Sequence, residues 1–417
     1  RFVAEMDSKH IDGSKIANMQ IINNNQVKMA NLCVIGSQRV NGVSALHSDI
    51  IKQTIFSDFN EVYPDRFTNV TNGITHRRWL VQSNPRLAAL ITELIGGDFY
   101  TNLNKFTSDK AVLEKIGQIK QANKVDYADY VKKTTGFALN PESRFDTQIK
   151  RLHEYKRQLL NVLKIVHCYL ELSDDPNKEV TPQTFIFGAK AAGSYMHAKR
   201  IIQLINCLSR EIQKNPKIKK KLDVMFVENY NVTQAEHLIP ASEVSEQISL
   251  AGKEASGTSN MKFMINGAVT LGTWDGANVE IGERVGDDNI FIFGLRTEEV
   301  ERAWRAGYNS STIYTHNDEI KRVVDRLRVG FDGESFSDIA DYLIAGHYNV
   351  ADPYMCLLDL EDYEKAAARM DAAYKDSARW NKMALVNVAQ AGIFSSDRSI
   401  HDYAKNIWNL KKVKKPQ

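Results

Sequence analysis

Five short apolar runs, beginning near Phe145, Gln183, Leu222, Val269 and Ile290, constrain what this chain can fold into more than any other feature. The first three starts lie about 40 residues apart, which is room for a strand, a crossover helix and two loops, the βαβ unit. The intervening segments carry apolar residues at helical spacing. Between Glu154 and Leu170 these are Leu159, Leu160, Leu163, Val166 and Cys168; between Tyr195 and Ile212 they are Ile201, Ile202, Leu204, Ile205 and Leu208. The expected fold is α/β, a doubly wound, Rossmann-like parallel sheet with flanking helices. In such sheets ligands sit outside the carboxyl ends of the strands, so the strand-to-helix loops are where chemistry is sought.

The flanks read less regularly. Residues 1–30 are largely polar, with Asn23-Asn-Asn25 suited to a loop, and Leu32-Cys-Val-Ile35 reads as a short buried strand closed by Gly36-Ser37. Val43, Leu46, Ile50 and Ile51 predict a helix running to about Phe56. Ser83-Asn84-Pro85 and Gly96-Gly97 bracket a second helix with a cap, a proline at its first position and a glycine stop. The last hundred or so residues read as mostly helical and end in Lys411-Lys-Val-Lys-Lys415, taken as a solvated tail rather than a binding patch.

A length of 417 residues predicts two or three domains. With Lys+Arg at 54 and Asp+Glu at 51, the net charge of +3 is too small a basic surplus for nucleic-acid wrapping. No apolar run approaches the ~18–20 residues a membrane span needs. Cys33, Cys168, Cys207 and Cys356 fit neither a disulfide framework nor a zinc site and read as buried free thiols in a reducing compartment. No metal-ligand spacing is found, and no Gly-x-Ser-x-Gly elbow. The chain begins at Arg1 and reads as a piece of something longer.

Three loops could carry chemistry. Asp146-Thr-Gln-Ile-Lys-Arg-Leu-His-Glu-Tyr-Lys-Arg157 places Lys150, Arg151, Lys156 and Arg157 beside a helix start, a natural anion site; a solvated basic turn is the alternative. Phe187-Gly-Ala-Lys-Ala-Ala-Gly193 could approach a phosphate but lacks both nucleotide fingerprints, and a tight connection explains it equally well. Glu254-Ala-Ser-Gly-Thr-Ser-Asn-Met-Lys-Phe-Met-Ile-Asn-Gly267 runs small polar residues into a helix that begins near Ser259. Its backbone donors and Thr258 suit a phosphate at the positive end of the helix dipole, with Lys262 one turn further on.

Taken together these loops closely resemble the α-glucan (glycogen, starch and maltodextrin) phosphorylases, and residues 254–266 resemble that family's pyridoxal-phosphate segment. The companion segments agree in order: Val40-Asn-Gly-Val43, Thr71-Asn-Gly-Ile74, Arg77-Arg-Trp79, Lys150-Arg-Leu-His-Glu-Tyr-Lys-Arg157, Glu228-Asn-Tyr230, Ser245-Glu-Gln-Ile-Ser249, Gly272-Thr-Trp-Asp-Gly-Ala-Asn278 and Phe394-Ser-Ser-Asp-Arg398. The likeness covers the carboxyl-terminal half of that family and implies the second domain of a two-domain, GT-B type glycosyltransferase architecture. Residues 1–72 would be the end of a truncated amino-terminal domain, 73–400 the pyridoxal-phosphate domain and 401–417 a terminal helix with a basic tail.

The resemblance also implies roles. Pyridoxal 5'-phosphate would be held as an imine on Lys262, with Thr258, Lys156 and Lys150 on its phosphate and Tyr230 and Trp79 lining it. Lys150, Arg151 and Lys156 would be the catalytic cations, Arg151 on the substrate phosphate. Asn72, Tyr155, Glu254, Ser256 and Gly257 would contact the glucosyl unit. The partners implied are an α-1,4-glucan, inorganic phosphate, a missing amino-terminal half and a second copy in a homodimer, in the cytoplasm; the product is α-glucose 1-phosphate, with retention. Two dianionic phosphates ~5 Å apart repel by roughly 13 kcal/mol at an effective dielectric of ~20, a term that Lys150, Arg151 and Lys156 would offset. A nucleotide-sugar glycosyltransferase and a stable fragment without turnover are the competing readings. The first needs no reactive Lys262; the second makes no glucose 1-phosphate.

Overall fold

The computed structural model describes residues 1–97, 100–346, 350–411 and 413. Ahead of the main sheet, β1 (Ile22–Asn23) and β2 (Gln26–Val27) form a hairpin, and β3 (Val40–Gly42) pairs in parallel with β4 (Phe67–Asn69). The main sheet contains β5 (Arg144–Ile149), β6 (Gln183–Gly188), β7 (Leu222–Val227), β8 (Val244–Gln247), β9 (Val269–Gly272) and β10 (Phe291–Ile292). All its pairings are parallel, in the order β10-β9-β8-β5-β6-β7. The chain builds outward from β5 to one edge, returns to β5's other side at β8, and builds outward again.

Helices cover both faces because the strands are apolar on both. Phe185 and Phe187 of β6 pack into one core with the helices Gln158–Asp174 and Met196–Gln213, while Ile186 between them faces the other. That second core takes the helices Lys110–Thr135, Val232–Ala241, Ser259–Ile265 and Ser377–Gln390. A third, smaller cluster around Met6, Met19, Ile51, Phe59 and Phe67 belongs to the residues ahead of the sheet. Among the described residues no helix is long and apolar enough to cross a membrane.

Five expected strands and both crossover helices are present, and so is the capped helix Pro85–Ile95, whose stop residue Gly96 is left-handed. Three readings need correction. Leu32–Ile35 is not a strand but lies inside the helix Met29–Gly36. An isolated four-residue strand would leave its backbone groups unpaired, whereas a helix satisfies them internally; Asn31 then fastens that helix by donating to the Asn18 and Gln20 carbonyls at 2.7 and 3.0 Å. β8 was hidden because Ser245, Glu246 and Gln247, all buried, make it a polar run in sequence. Of the four free thiols, Cys33 is exposed and Cys168 half-buried. Of the basic tail, Lys412, Lys414 and Lys415 lie outside the described residues.

β8 also brings the least comfortable charge into the interior. Glu246 accepts from Lys164 at 2.8 Å and from the Tyr363 hydroxyl at 2.7 Å, while Asp146 of β5 lies 3.8 Å from the same ammonium. Burial, and then the Asp146 charge, push Glu246 up to about 8 against the opposing pull of Lys164. The folded protein therefore keeps a proton that the unfolded chain releases near its ordinary value of 4.5, so stability falls as pH rises from about 4.5 towards 8. Glu246→Gln keeps an acceptor for both donors and removes this titration. Melting temperatures between about pH 5 and pH 8 should fall more steeply for the wild type than for the variant; parallel curves would refute the assignment.

Candidate active site at the carboxyl edge of the sheet

The loops after β5 and β8 flank the junction where the winding reverses, and their backbones are tied before any side chain is considered. Lys150 and Leu152 donate their N–H groups to the Gly188 and Lys190 carbonyls at 3.0 and 3.1 Å. Gln148 donates to the Lys156 carbonyl at 3.1 Å, Gln158 to the Arg151 carbonyl at 3.1 Å, and Leu250 N–H to the Tyr155 carbonyl at 3.0 Å. The loop after β8 is held from below by Asp275, whose carboxylate accepts from the N–H groups of Gly252, Lys253 and Glu254 at 2.9, 3.3 and 2.9 Å.

This bracing brings the cations of one loop onto the acid of the other. Lys156 Nζ lies 2.5 Å and Lys150 Nζ 3.7 Å from Glu254 Oε2, and Ser249 donates to the same oxygen at 3.4 Å. Tyr155 presents its ring to the Lys156 ammonium at 4.7 Å. Burial pushes Lys150 down. On Lys156 burial is outweighed by the hydrogen bonds and charges of Glu254 and Tyr155 together, so its value is raised. Glu254, although buried, is held below the usual carboxylate range by the charge of Lys150 and the hydrogen bond from Lys156.

Residues 255–262 carry the site onward. Ser256 is buried, and its carbonyl accepts from Ala277 N–H at 2.8 Å and Asn260 Nδ2 at 3.3 Å. Gly257 has φ of 76°, which glycine adopts without strain. Thr258 is exposed at the N-cap of the helix Ser259–Ile265. Lys262 lies one turn in, its Nζ 3.9 Å from the centre of the buried Trp79 ring. It has no ion pair among the described residues, and burial alone pushes its value down. Asn266 locks this pair, donating to the Trp79 and Lys262 carbonyls at 2.7 and 2.9 Å. Tyr230 packs over Gly188, where an added Cβ would meet its ring at 3.0 Å and Ile149 at 2.8 Å.

Not every expected residue joins. Arg151 is exposed and makes no side-chain hydrogen bond or ion pair among the described residues. Asn72 is tied through its backbone to Val43 and Arg398, each at 3.0 Å, and reaches the loop only indirectly, through Ser44 donating to the Ala255 carbonyl at 2.6 Å. Arg157 must be removed from the cation cluster. Its left-handed backbone, φ 55°, turns the side chain into the core, where it pairs with Asp359 at 2.6 Å and donates to the Ile248 carbonyl at 2.7 Å. Asp275 and Asn266 were not among the candidates, although Asp-Gly after a strand and Asn-Gly after a helix were their visible signals.

In chemical terms, the edge offers two lysines sharing one carboxylate, a helix start lined with small residues, and a separate amine without a counter-ion among the described residues. Asp275→Asn would set an amide N–H against one of the loop donors, at a cost of about 1–3 kcal/mol. Amide exchange at residues 252–254 should quicken by about tenfold or more while β6 and β7 are unchanged; unaltered exchange there would show that Asp275 does not hold the loop.

Residues 1–410 match the family model described as carbohydrate phosphorylase. The chain is 47% identical over 410 residues to a glycogen phosphorylase of Bacillus subtilis, covering 96% of this chain and 51% of that protein. It is 44% identical to one from Synechocystis, covering 99% and 50%, and 44% identical to the human muscle form, covering 96% and 48%. The chain thus spans about half the length of the curated relatives it matches. A match of that extent, with the site segments inside it, makes this chain a member of the carbohydrate phosphorylase family.

Proposed function

We propose that the protein containing this chain is an α-glucan phosphorylase: it transfers the non-reducing-end glucosyl unit of an α-1,4-glucan to inorganic phosphate, giving α-glucose 1-phosphate with retention. The observation that carries the reading is the convergence of Lys150 and Lys156 on Glu254, in the loop that leads into Lys262. Two ammonium groups against one carboxylate leave positive charge for a phosphate to take, and a dianion there would compete with Glu254 for both lysines.

The residues fit pyridoxal phosphate. Lys262 is an amine without a counter-ion on an aromatic face, and Gly188 and Gly257 are places where a side chain would crowd its neighbours. Lys262 would anchor the cofactor, Thr258, Lys150 and Lys156 would hold its phosphate, and Tyr230 and Trp79 would flank it. When bound, the cofactor supplies a phosphate group able to exchange a proton with the substrate phosphate. Arg151, uncommitted in the fold, would bind the substrate phosphate, and Asn72, Tyr155, Glu254, Ser256 and Gly257 would receive the glucosyl hydroxyls. Glu254 then acts as an acceptor that also opposes the effect of burial on both lysines. Anions gathered at this edge favour an oxocarbenium-like transition state without a carboxylate pair.

The rest of the reading concerns the whole protein. Residues 1–72 would complete an amino-terminal domain that closes the cleft of the GT-B architecture, with 73–400 as the second domain and 401–417 as its tail. The whole protein would be a cytoplasmic homodimer under allosteric control. This 417-residue chain alone should turn over little, because water exclusion and glucan positioning need both sides of the cleft.

Lys262→Ala should abolish both the borohydride-fixable attachment of pyridoxal phosphate and glucose 1-phosphate formation. An adduct still fixed at another residue would sink the assignment. In the full-length protein, Arg151→Ala should lower kcat/KM for phosphate by about 30-fold, about 2 kcal/mol, with normal cofactor content. Loss of cofactor with unchanged phosphate kinetics would move Arg151 to the cofactor's side.

A further inference from the structure

Behind the helix that carries Lys262, a cavity of about 240 Å³ opens between the helices Lys110–Thr135 and Ser377–Gln390. Its lining mixes apolar residues, Leu87, Ile116, Trp380 and Val388, with polar and charged ones, Lys120, Glu243, Asn381 and Ser377. Lys120 enters from its helix and donates to the carbonyls of Pro240, Ser242 and Asn266 at 2.8, 2.6 and 3.0 Å.

The charges around that ammonium do not balance. Lys124, on the same helix, takes Glu243 at 3.0 Å, and Glu243 also accepts from Phe145 N–H at 2.9 Å and from the Tyr374 hydroxyl at 2.8 Å. That carboxylate is therefore taken up by Lys124, a backbone N–H and a phenol, and Lys120 has no ion pair among the described residues. Burial accordingly pushes Lys120 down to about 7, with Lys124 adding to the effect and Glu243 opposing it. The side chains of Asn381 and Ser377 are likewise uncommitted within the described residues and stand ready as donors.

We propose that this cavity is a second ligand site, distinct from the cleft at the carboxyl edge, for a small organic carboxylate bearing one ring: the ring against Trp380 and Leu87, the carboxylate beside Lys120 with Asn381 and Ser377 as donors. The size is right, since a ~150 Å³ apolar cavity already holds a benzene ring. The anion supplies the missing counter-charge, so binding takes up a proton above about pH 7 and weakens as pH rises. The site adjoins the active edge through Asn266, whose carbonyl receives Lys120 while its amide holds the Lys262 and Trp79 carbonyls. Nothing in this inference depends on the cofactor reading.

Calorimetric titration of the chain with benzoate, with benzamide as the uncharged control, tests it. Saturable 1:1 binding at millimolar or lower concentration is expected, tighter for benzoate than for benzamide and tighter at pH 6 than at pH 8. Lys120→Met should weaken benzoate by about tenfold or more. Ser377→Asp provides a variant safe for folding, since an acid suits the first turn of a helix, and its charge at the cavity mouth should weaken benzoate severalfold. Hydrogen exchange at residues 262–266 should slow on binding. Absence of saturation, equal affinity for benzamide, or unchanged affinity in both variants would overturn the site, and unchanged exchange at 262–266 would overturn its link to the active edge.

Discussion

Because all six strands of the main sheet run the same way, every loop that follows a strand is delivered to one edge of the molecule. At the β5–β8 junction the crossovers leave for opposite faces, to the helices Gln158–Asp174 and Ser259–Ile265. The loops that follow, 150–157 and 248–258, are therefore neighbours in space although nearly a hundred residues apart in sequence. Glu254 meets Lys150 and Lys156 only because of that adjacency. Were β8 paired elsewhere, the cations would be a solvated turn and the acid a surface residue.

Adjacency alone would leave a flexible site. The stiffness comes from groups bonded to the loops' own backbone: Gln148 and Gln158 under one loop, Asp275 under the other, Asn266 between Trp79 and Lys262. Each satisfies backbone donors or acceptors that a bare loop would leave to water. The candidate side chains then sit in contrasting electrostatic states. Lys156 is kept charged by Glu254, Lys150 is weakened by burial, and Lys262 is weakened by burial with no acid to restore it. Three lysines of one chemical type are thus distinguished by what surrounds them.

Much of this was legible in the sequence, for reasons that particular residues make plain. β6 and β7 are apolar on both faces, so their strands could be read as continuous runs; β8 is buried too, but Ser245, Glu246 and Gln247 find their partners inside, and burial by pairing leaves no apolar signature. The phosphate-suited loop and Lys262 were visible because small residues before a helix have a local meaning. Arg157 was misread because cations close in sequence were treated as close in space, and a single left-handed backbone sends it to Asp359. Leu32–Ile35 failed for a related reason: strand formation depends on a partner, and the partner of β4 is Val40–Gly42.

The residues ahead of Gly73 are attached to the site by polar contacts rather than by a shared apolar core. Ile74 N–H bonds the Phe394 carbonyl and Ser396 N–H returns to the Ile74 carbonyl, each at 2.8 Å, while any Cβ on Gly73 would strike the Ser395 carbonyl oxygen at 2.5 Å. Arg398 clamps the Asn72 carbonyl, Thr71 bonds Glu280, and Ser44 reaches the Ala255 carbonyl directly beside Glu254. The cluster around Phe59 and Phe67 keeps its own interior. Single hydrogen bonds of this kind contribute about 0.5–1.5 kcal/mol each, so the attachment is secured by their number and not by any one of them. Ser44 lets the preceding segment influence where Ala255, and with it Glu254, is placed. The position of the acid that pairs with both lysines is in this way set from two directions, by Asp275 beneath the loop and by the segment ahead of Gly73 through Ser44.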